Sequence, residues 1–240
     1  MIIFRCYIPS CRIDGAIESL RRADARISPV TYGSNESRTG TGKMVGSTEA
    51  FMEFREANPC GFFLFAPSCR YDVTIRNGEE CSVIMAEPDS GVFEIPDVLG
   101  ILSALSSSAS FAFACSLDEY HHRNMYSVKM GMNQVEAWVG RDVSKYLPGM
   151  YWITAFSEET ARRIGGLPFD SVPPVEIHVL GAGLTALVLY PNAADWQDNV
   201  ECVDRFCLHH AAFFSLPAIM PALKRASSFI ELTSILGQWR

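Results

Sequence analysis

A polar run near the middle of the chain carries residues that could act in catalysis: Ser116, Asp118, His121 and His122. A serine, an acid and a histidine usually form a nucleophilic triad only when separate segments of a fold bring them together. Adjacent histidines also point in different directions on a helix or a strand. We therefore interpret residues 117–124 as a polar connector. The alternative is an enzyme, hydrolase-like, in which His121 or His122 acts with an acid from elsewhere.

Cysteine and histidine, the residue types that bind zinc, recur together at Cys202, Cys207, His209 and His210. If residues 194–214 form a helix, Cys207 and His210 lie on its apolar face, whereas Cys202 and His209 lie away from that face. The four side chains then do not converge on one ion. We expect no metal and no cofactor, and we expect His210 to pack in the core; His210 with a distant acid is retained as a second form of the enzyme alternative.

A glycine-rich stretch, Gly40-Thr41-Gly42-Lys43, resembles the end of a phosphate-binding P-loop. That motif needs a glycine where Ser37 stands and a serine or threonine where Met44 stands. Residues 28–47, rich in glycine, serine, threonine and asparagine, are therefore predicted to form a loop. The motifs of α/β-hydrolases, zinc proteases, dinucleotide-binding proteins and EF-hands are also missing from the sequence. The expectation is a protein without catalytic residues.

Acidic residues in turns and at helix starts are the remaining candidates for a functional surface. Glu79 and Glu80 occupy the tip of a predicted hairpin, and Asp89, Asp118 and Glu119 extend the set. Such residues are usually solvated, but an acidic face also steers a basic protein partner toward its binding site. We assign these five residues as candidate partner-binding residues.

The composition is that of an ordinary folded protein, and the lack of an export signal leads us to expect that it acts in the cytoplasm. Of the 240 residues, 48% are apolar and 20% are charged, and the net charge of −7 argues against binding to nucleic acid. The first residues lack the basic region and cleavage site of a secretory signal, and uninterrupted apolar runs are too short to cross a membrane. In that compartment the eight cysteines are expected to stay reduced.

Hydrophobic periodicity predicts an α+β fold, in which a mixed, largely antiparallel sheet or sheets built from hairpins carry packed helices. The predicted helices span 13–25, 48–58, 96–105, 157–164 and 194–214. The predicted strands span 1–8, 61–66, 111–115 and the region after 150, with hairpins at 71–75/81–85, 125–130/134–139 and 175–179/184–190.

Two segments match in apolar pattern and proline position: Phe93–Leu102 and Phe214–Leu223. Each copy comes after a predicted hairpin, and each hairpin comes after a serine-capped helix. The pattern indicates two related halves, 1–116 and 125–240, within one compact domain spanning 1–240. Chance similarity between common helix–hairpin–helix arrangements is the alternative.

The most distinctive segment joins turn formers and aromatic residues between 141 and 157. In chain order it and the sequence after it offer Arg141-Asp142-Val143, Leu147-Pro148-Gly149, Tyr151-Trp152, a hairpin over 175–190 and Asp195-Trp196. This order resembles the "RDV-x-x-x-LPG-x-YW" pattern of a family of bacterial immunity proteins found beside type VI secretion and other polymorphic toxin genes. The resemblance covers the carboxy-terminal half.

The resemblance implies an α+β protein that binds one cognate toxin effector and occludes or distorts the toxin's active site. Such a protein needs no catalytic residues of its own. Tyr151 and Trp152 are expected in the core, because both belong to an apolar strand. A structural or adaptor subunit is a further alternative, and the sequence leaves the oligomeric state and the toxin's chemistry open.

Overall fold

The computed structural model describes residues 1–37, 42–44, 48–76, 81–130, 133–138, 143, 146–166 and 172–238. The strands are β1 (Ile2–Pro9), β2 (Thr31–Gly33), β3 (Gly42–Lys43), β4 (Gly61–Phe65), β5 (Cys69–Thr74), β6 (Cys81–Pro88), β7 (Phe111–Ser116), β8 (Met125–Met130), β9 (Asn133–Trp138), β10 (Ile153–Ser157), β11 (Glu176–Leu180) and β12 (Leu184–Val188). The helices are α1 (Ile13–Arg21), α2 (Thr48–Ala57), α3 (Ile95–Leu105), α4 (Leu117–Asn124), α5 (Glu158–Arg163), α6 (Trp196–His209), α7 (Ser215–Leu223) and α8 (Phe229–Gln238).

Ten of these strands form one open sheet, in the spatial order β11-β12-β10-β7-β1-β6-β5-β4-β2-β3. Every neighbouring pair within it is antiparallel, and β8 and β9 form a separate antiparallel hairpin. Among the described residues, the sheet and its helices make an α+β fold, which confirms the predicted class. No helix within the described ranges is long and apolar enough to cross a membrane.

The centre of the sheet is formed by β7 and β1. In their register Cys6 pairs with Ala112, and on its other side Cys6 pairs with Ile84 of β6. The run Phe111–Cys115 is apolar at every position and buried at every position, because a central strand has both faces covered. This rigid centre matters for the site, since α4 begins directly after β7.

The helices follow the predicted amphipathic spacing. In α1, Ile13, Ala16, Ile17 and Leu20 are buried, which is the single stripe expected of a surface helix. Ser157 caps α5, because its Oγ accepts a hydrogen bond from the backbone N–H of Thr160 at 3.2 Å. The predicted helices and hairpins are confirmed, although α1 ends at Arg21 and α6 at His209, short of the predicted ends.

The prediction of a loop over residues 28–47 is wrong in part, because this stretch contains β2 and β3. Tyr32 is buried, and its ring lies 5.1 Å from that of Phe51 and 4.6 Å from that of Phe54. Strand pairing of Thr31–Gly33 with β4 therefore depends on packing against α2. The composition of residues 28–47 does not indicate this packing, because α2 lies further along the chain.

The two predicted halves contribute to one continuous sheet. β1 precedes α1 and pairs with β6, the second strand of the β5–β6 hairpin; β10 precedes α5 and pairs with β12, the second strand of the β11–β12 hairpin. The matched sequence segments begin α3 and α7. β7 lies between β1 and β10 and joins these two strand sets. Duplication of an ancestral half stays a prediction.

Candidate functional site

The centre of the candidate site is an ion pair within α4. Glu119 and Arg123 are four residues apart, so their side chains lie on one face of the helix. Arg123 donates from Nε to Glu119 Oε1 at 3.2 Å, and the residues are 5% and 0% exposed. Burying two charges is costly unless further hydrogen bonds satisfy them. The neighbouring elements supply those bonds.

Glu119 connects α4 to two distant segments. Its Oε2 accepts the backbone N–H of Trp152 at 3.3 Å, and its Oε1 accepts a short hydrogen bond from the hydroxyl of Tyr190. Trp152 immediately precedes β10, and Tyr190 follows β12. One carboxyl group on α4 therefore holds the residue before β10 and a residue just after β12, its neighbour in the sheet.

Arg123 extends the cluster toward α6. Its Nη1 forms a short ion pair with Asp204, whose Oδ2 lies 2.7 Å from Nε2 of His122. Arg123 Nη2 is buried and has no hydrogen-bond acceptor among the described residues. A buried donor without an acceptor is energetically costly, and an acceptor that reached it would remove that cost.

The environment shifts the pKa values within the cluster in opposite directions. Burial raises the pKa of Glu119, against the opposing effects of Arg123 and the hydrogen bond from Tyr190. Burial also acts to raise the pKa of Asp204, but the hydrogen bond from His122 and the charge of Arg123 outweigh it, so this pKa is lowered. Arg123 stays charged, because the nearby acids overcome the cost of burial and raise its pKa.

A cavity of about 370 Å³ opens beside the cluster. Its polar lining consists of His122, Arg123, Asp204 and Lys224, and its remaining lining consists of Pro148, Gly149, Cys207, Leu208, Phe214 and Met220. The walls thus come from α4, the segment before β10, α6 and α7. A concave, largely apolar site with a few converging polar groups is the usual form of a binding site.

The segment from 148 to 152 is built into this wall. A Cβ on Gly149 would lie 3.3 Å from the Tyr151 ring and 3.4 Å from Cδ of Arg123, so these side chains would have to shift by a few tenths of an ångström. The φ of +158° is also one that residues with a Cβ rarely adopt, which favours glycine here. Asn124 donates a short hydrogen bond to the Tyr151 hydroxyl, and Trp152 Nε1 donates to the carbonyl of Tyr190 at 3.0 Å. Tyr151 and Trp152 are buried, as predicted.

The cavity lining holds groups of the types that act in catalysis. His122 and Asp204 form a histidine–acid pair at the lining, and the thiol of Cys207 lies in the same lining. Burial raises the pKa of Cys207 to about 11, so at neutral pH the sulfur stays a protonated thiol. A cysteine nucleophile needs the opposite shift, because the thiolate is the reactive form.

Of the five candidate partner-binding residues, the structure describes Asp89, Asp118 and Glu119. Asp89 and Asp118 are exposed at the end of the sheet where β1 begins: Ala86 of β6 pairs with Phe4, and Ser116 of β7 pairs with Ile2. The assignment of Glu119 to an exposed surface is wrong, because its carboxyl group is needed to satisfy Arg123, Trp152 and Tyr190 inside the protein. Glu79 and Glu80 lie outside the described residues, as do Arg141 and Asp142 of the distinctive segment.

The histidines also differ from expectation. The connector 117–124 is the helix α4, and His122 reaches Asp204 from it, which supplies the distant acid of the enzyme hypothesis. His210 is only partly buried, against Phe206 at a ring distance of 4.5 Å, so it is not a core histidine. No group of three or more potential metal ligands occurs within the described part of the chain.

Sequence reasoning missed Arg123, Tyr190 and Asp204. The spacing of Glu119 and Arg123, four residues apart, was the one local signal of a pair. Nothing local links either residue to positions 190 and 204, because those contacts depend on the packing of β12 and α6 against α4.

Comparison with known proteins found no matching family model, no characterised protein of significant similarity and no solved structure of significant similarity.

Proposed function

We propose that this protein is an immunity protein, which binds a cognate antibacterial toxin effector and neutralises it without catalysing a reaction. The observation that carries the proposal is the position of the "LPG-x-YW" segment. Pro148 and Gly149 line the open cavity, and Trp152 is fixed to Glu119 behind it. The segment that resembles the immunity family is itself buried, and through Pro148 and Gly149 it also forms part of the cavity wall.

The cavity suits a side chain of a protein partner. Leu208 lies at its lining with 66% of its surface exposed, and Lys224 is exposed beside it. Arg123 also lines the cavity, and its buried Nη2 has no acceptor among the described residues. We propose that a toxin side chain with an apolar stem and a terminal acceptor, such as a carboxylate, enters here. Well-packed pockets of this kind supply most of the energy of a protein interface.

A second candidate function rests on the pair of His122 and Asp204. A histidine held by an acid at a cavity lining is also the arrangement of a general base, so a small hydrolase is the alternative. Sharing of the Asp204 carboxylate with Arg123 weakens its hold on His122 and so argues against this alternative. The raised pKa of Cys207 argues only against a cysteine nucleophile.

The experiment begins with the reading frame adjacent to this gene, expressed with and without this protein. We expect the neighbour to arrest growth and this protein to relieve the arrest and to co-purify with the toxin. Titration of the purified toxin's activity then separates the two functions. An inhibitor stops the activity at a fixed molar ratio, whereas an enzyme acts at a small fraction of that ratio. A harmless neighbour that captures nothing would refute the proposal.

A further inference from the structure

The outermost strand of the sheet, β11, exposes apolar side chains. Among the described residues it pairs with β12 alone and ends the strand order. Two apolar residues of this strand are exposed, Ile177 by 50% and Val179 by 80%. Edge strands usually carry lysine, proline or a bulge that prevents pairing with another chain, and an exposed apolar edge is a docking site.

The opposite face of β11 carries an acid and a histidine that contact each other. Glu176 and His178 are two residues apart and therefore point to one face, where His178 Nε2 lies 2.8 Å from Glu176 Oε2. Ile177 and Val179 alternate with them on the other face. The strand thus has an acid and a base on one side and an apolar pair on the other.

We propose that β11 pairs antiparallel with β11 of a second copy of this chain, about a two-fold axis at Ile177. Directly opposed residues of an antiparallel pair lie on the same face, so a symmetric pair has its axis at a residue. An axis at Glu176 would oppose two glutamates, and an axis at His178 would oppose two histidines. Only an axis at Ile177, among these three, opposes Glu176 of each copy to His178 of the other.

The apolar residues fit the same register. Ile177 meets Ile177 of the second copy across the axis, which forms an apolar cross-strand pair. Pro174 limits the paired length on one side, because proline has no N–H to donate and is tolerated only at the end of a ladder. The partner is therefore a second copy, identified by the self-complementary order of acid, apolar residue and base. This inference does not depend on the proposed function.

Charge substitutions test the register directly with the full-length protein. Glu176→Lys opposes lysine to histidine, and His178→Glu opposes two glutamates, so each variant alone should dimerise about tenfold more weakly. In a mixture of the two variants, the introduced lysine of one chain opposes the introduced glutamate of the other. The unchanged His178 of the first chain still opposes the unchanged Glu176 of the second, so the mixture should recover the dimer. Val92→Lys, at an exposed site before α3, is the control and should leave the dimer unchanged.

Sedimentation equilibrium over a range of concentrations measures these dimerisation constants. Dimeric wild type, weakened single variants and recovery in the mixture are the expected results. A monomeric wild type would overturn the proposal, as would single variants that dimerise like wild type. Circular dichroism of each variant tests whether the fold is intact. We expect it to be, because the substituted side chains are exposed.

Discussion

Glu119 accepts the backbone N–H of Trp152 at 3.3 Å, so a buried carboxyl group on α4 holds the residue immediately before β10. Tyr190, at the end of β12, donates to the same carboxyl group. The "LPG-x-YW" segment is thereby attached to the helix that carries Arg123 into the cavity. The stability of the cluster and the shape of the cavity are consequently linked.

Removal of the Glu119 carboxyl group should be among the most damaging single changes. Glu119→Ala leaves buried Arg123 without its partner within α4 and leaves the hydrogen-bond donors of Trp152 and Tyr190 unpaired. We expect the free energy of unfolding to fall by about 3–5 kcal/mol. Urea unfolding measures it. Asp118→Ala, one residue away and exposed, is the matched control and should change the free energy by less than about 0.5 kcal/mol.

Gly149 and Gly100 should respond oppositely to alanine. At Gly149 a Cβ would crowd the Tyr151 ring and Arg123, so Gly149→Ala should destabilise by about 1–3 kcal/mol. At Gly100, inside α3, a Cβ meets Ile27 Cδ1 at an ordinary 3.6 Å, so Gly100→Ala should stabilise by about 0.5–1 kcal/mol. Thermal or urea unfolding of both variants measures the difference. Equal effects would contradict the close approach described for Gly149.

The lowered pKa of Asp204 predicts a loss of stability in acid. Because its ionised form is favoured in the folded state, its contribution is fully present above the ordinary aspartate pKa of 3.8 and is lost as the pH falls through the lower folded value. The stability difference between wild type and Asp204→Asn should therefore shrink below about pH 4. Urea midpoints across that range measure it. A difference that stays constant into acid would contradict the pairing with His122 and Arg123.

The sequence predicted the hairpins and five of the eight described helices, because amphipathic spacing and turn residues act locally; it missed α4, α7 and α8. It also predicted the burial of Tyr151 and Trp152, which lie in an apolar run. It failed for β2 and β3, whose pairing depends on contacts of Tyr32 with α2, more than fifteen residues further along the chain.

The site was less accessible to sequence reasoning for the same reason. From the local sequence, Glu119 is predicted to be a solvated acid at a helix start. It becomes a buried hydrogen-bond acceptor only because the fold packs Trp152 and Tyr190 against it. In the enzyme alternative, His122 acts with an unidentified acid from elsewhere in the chain. Packing of α6 against α4 brings Asp204 into that position. Residues far apart in sequence meet at this site through the order of β7, β10 and β12, which no local pattern specifies.

Binding of the toxin should depend on the open end of the cavity. Leu208 is exposed at the lining, so Leu208→Glu leaves the fold intact while it places a carboxylate where an apolar stem and an acceptor are expected to enter. Met52→Glu is the matched control, since Met52 is an exposed apolar residue on α2, which packs near β2 and β4 at the other end of the sheet.

The most direct measurement is a calorimetric titration of the purified toxin with wild type, Leu208→Glu and Met52→Glu. We predict tight binding at a fixed ratio for wild type and for Met52→Glu, and an affinity about a hundredfold weaker for Leu208→Glu. Wild-type protein that does not bind the toxin would contradict the proposed function. Equal affinity of all three proteins would contradict the assignment of the cavity as the toxin-binding site.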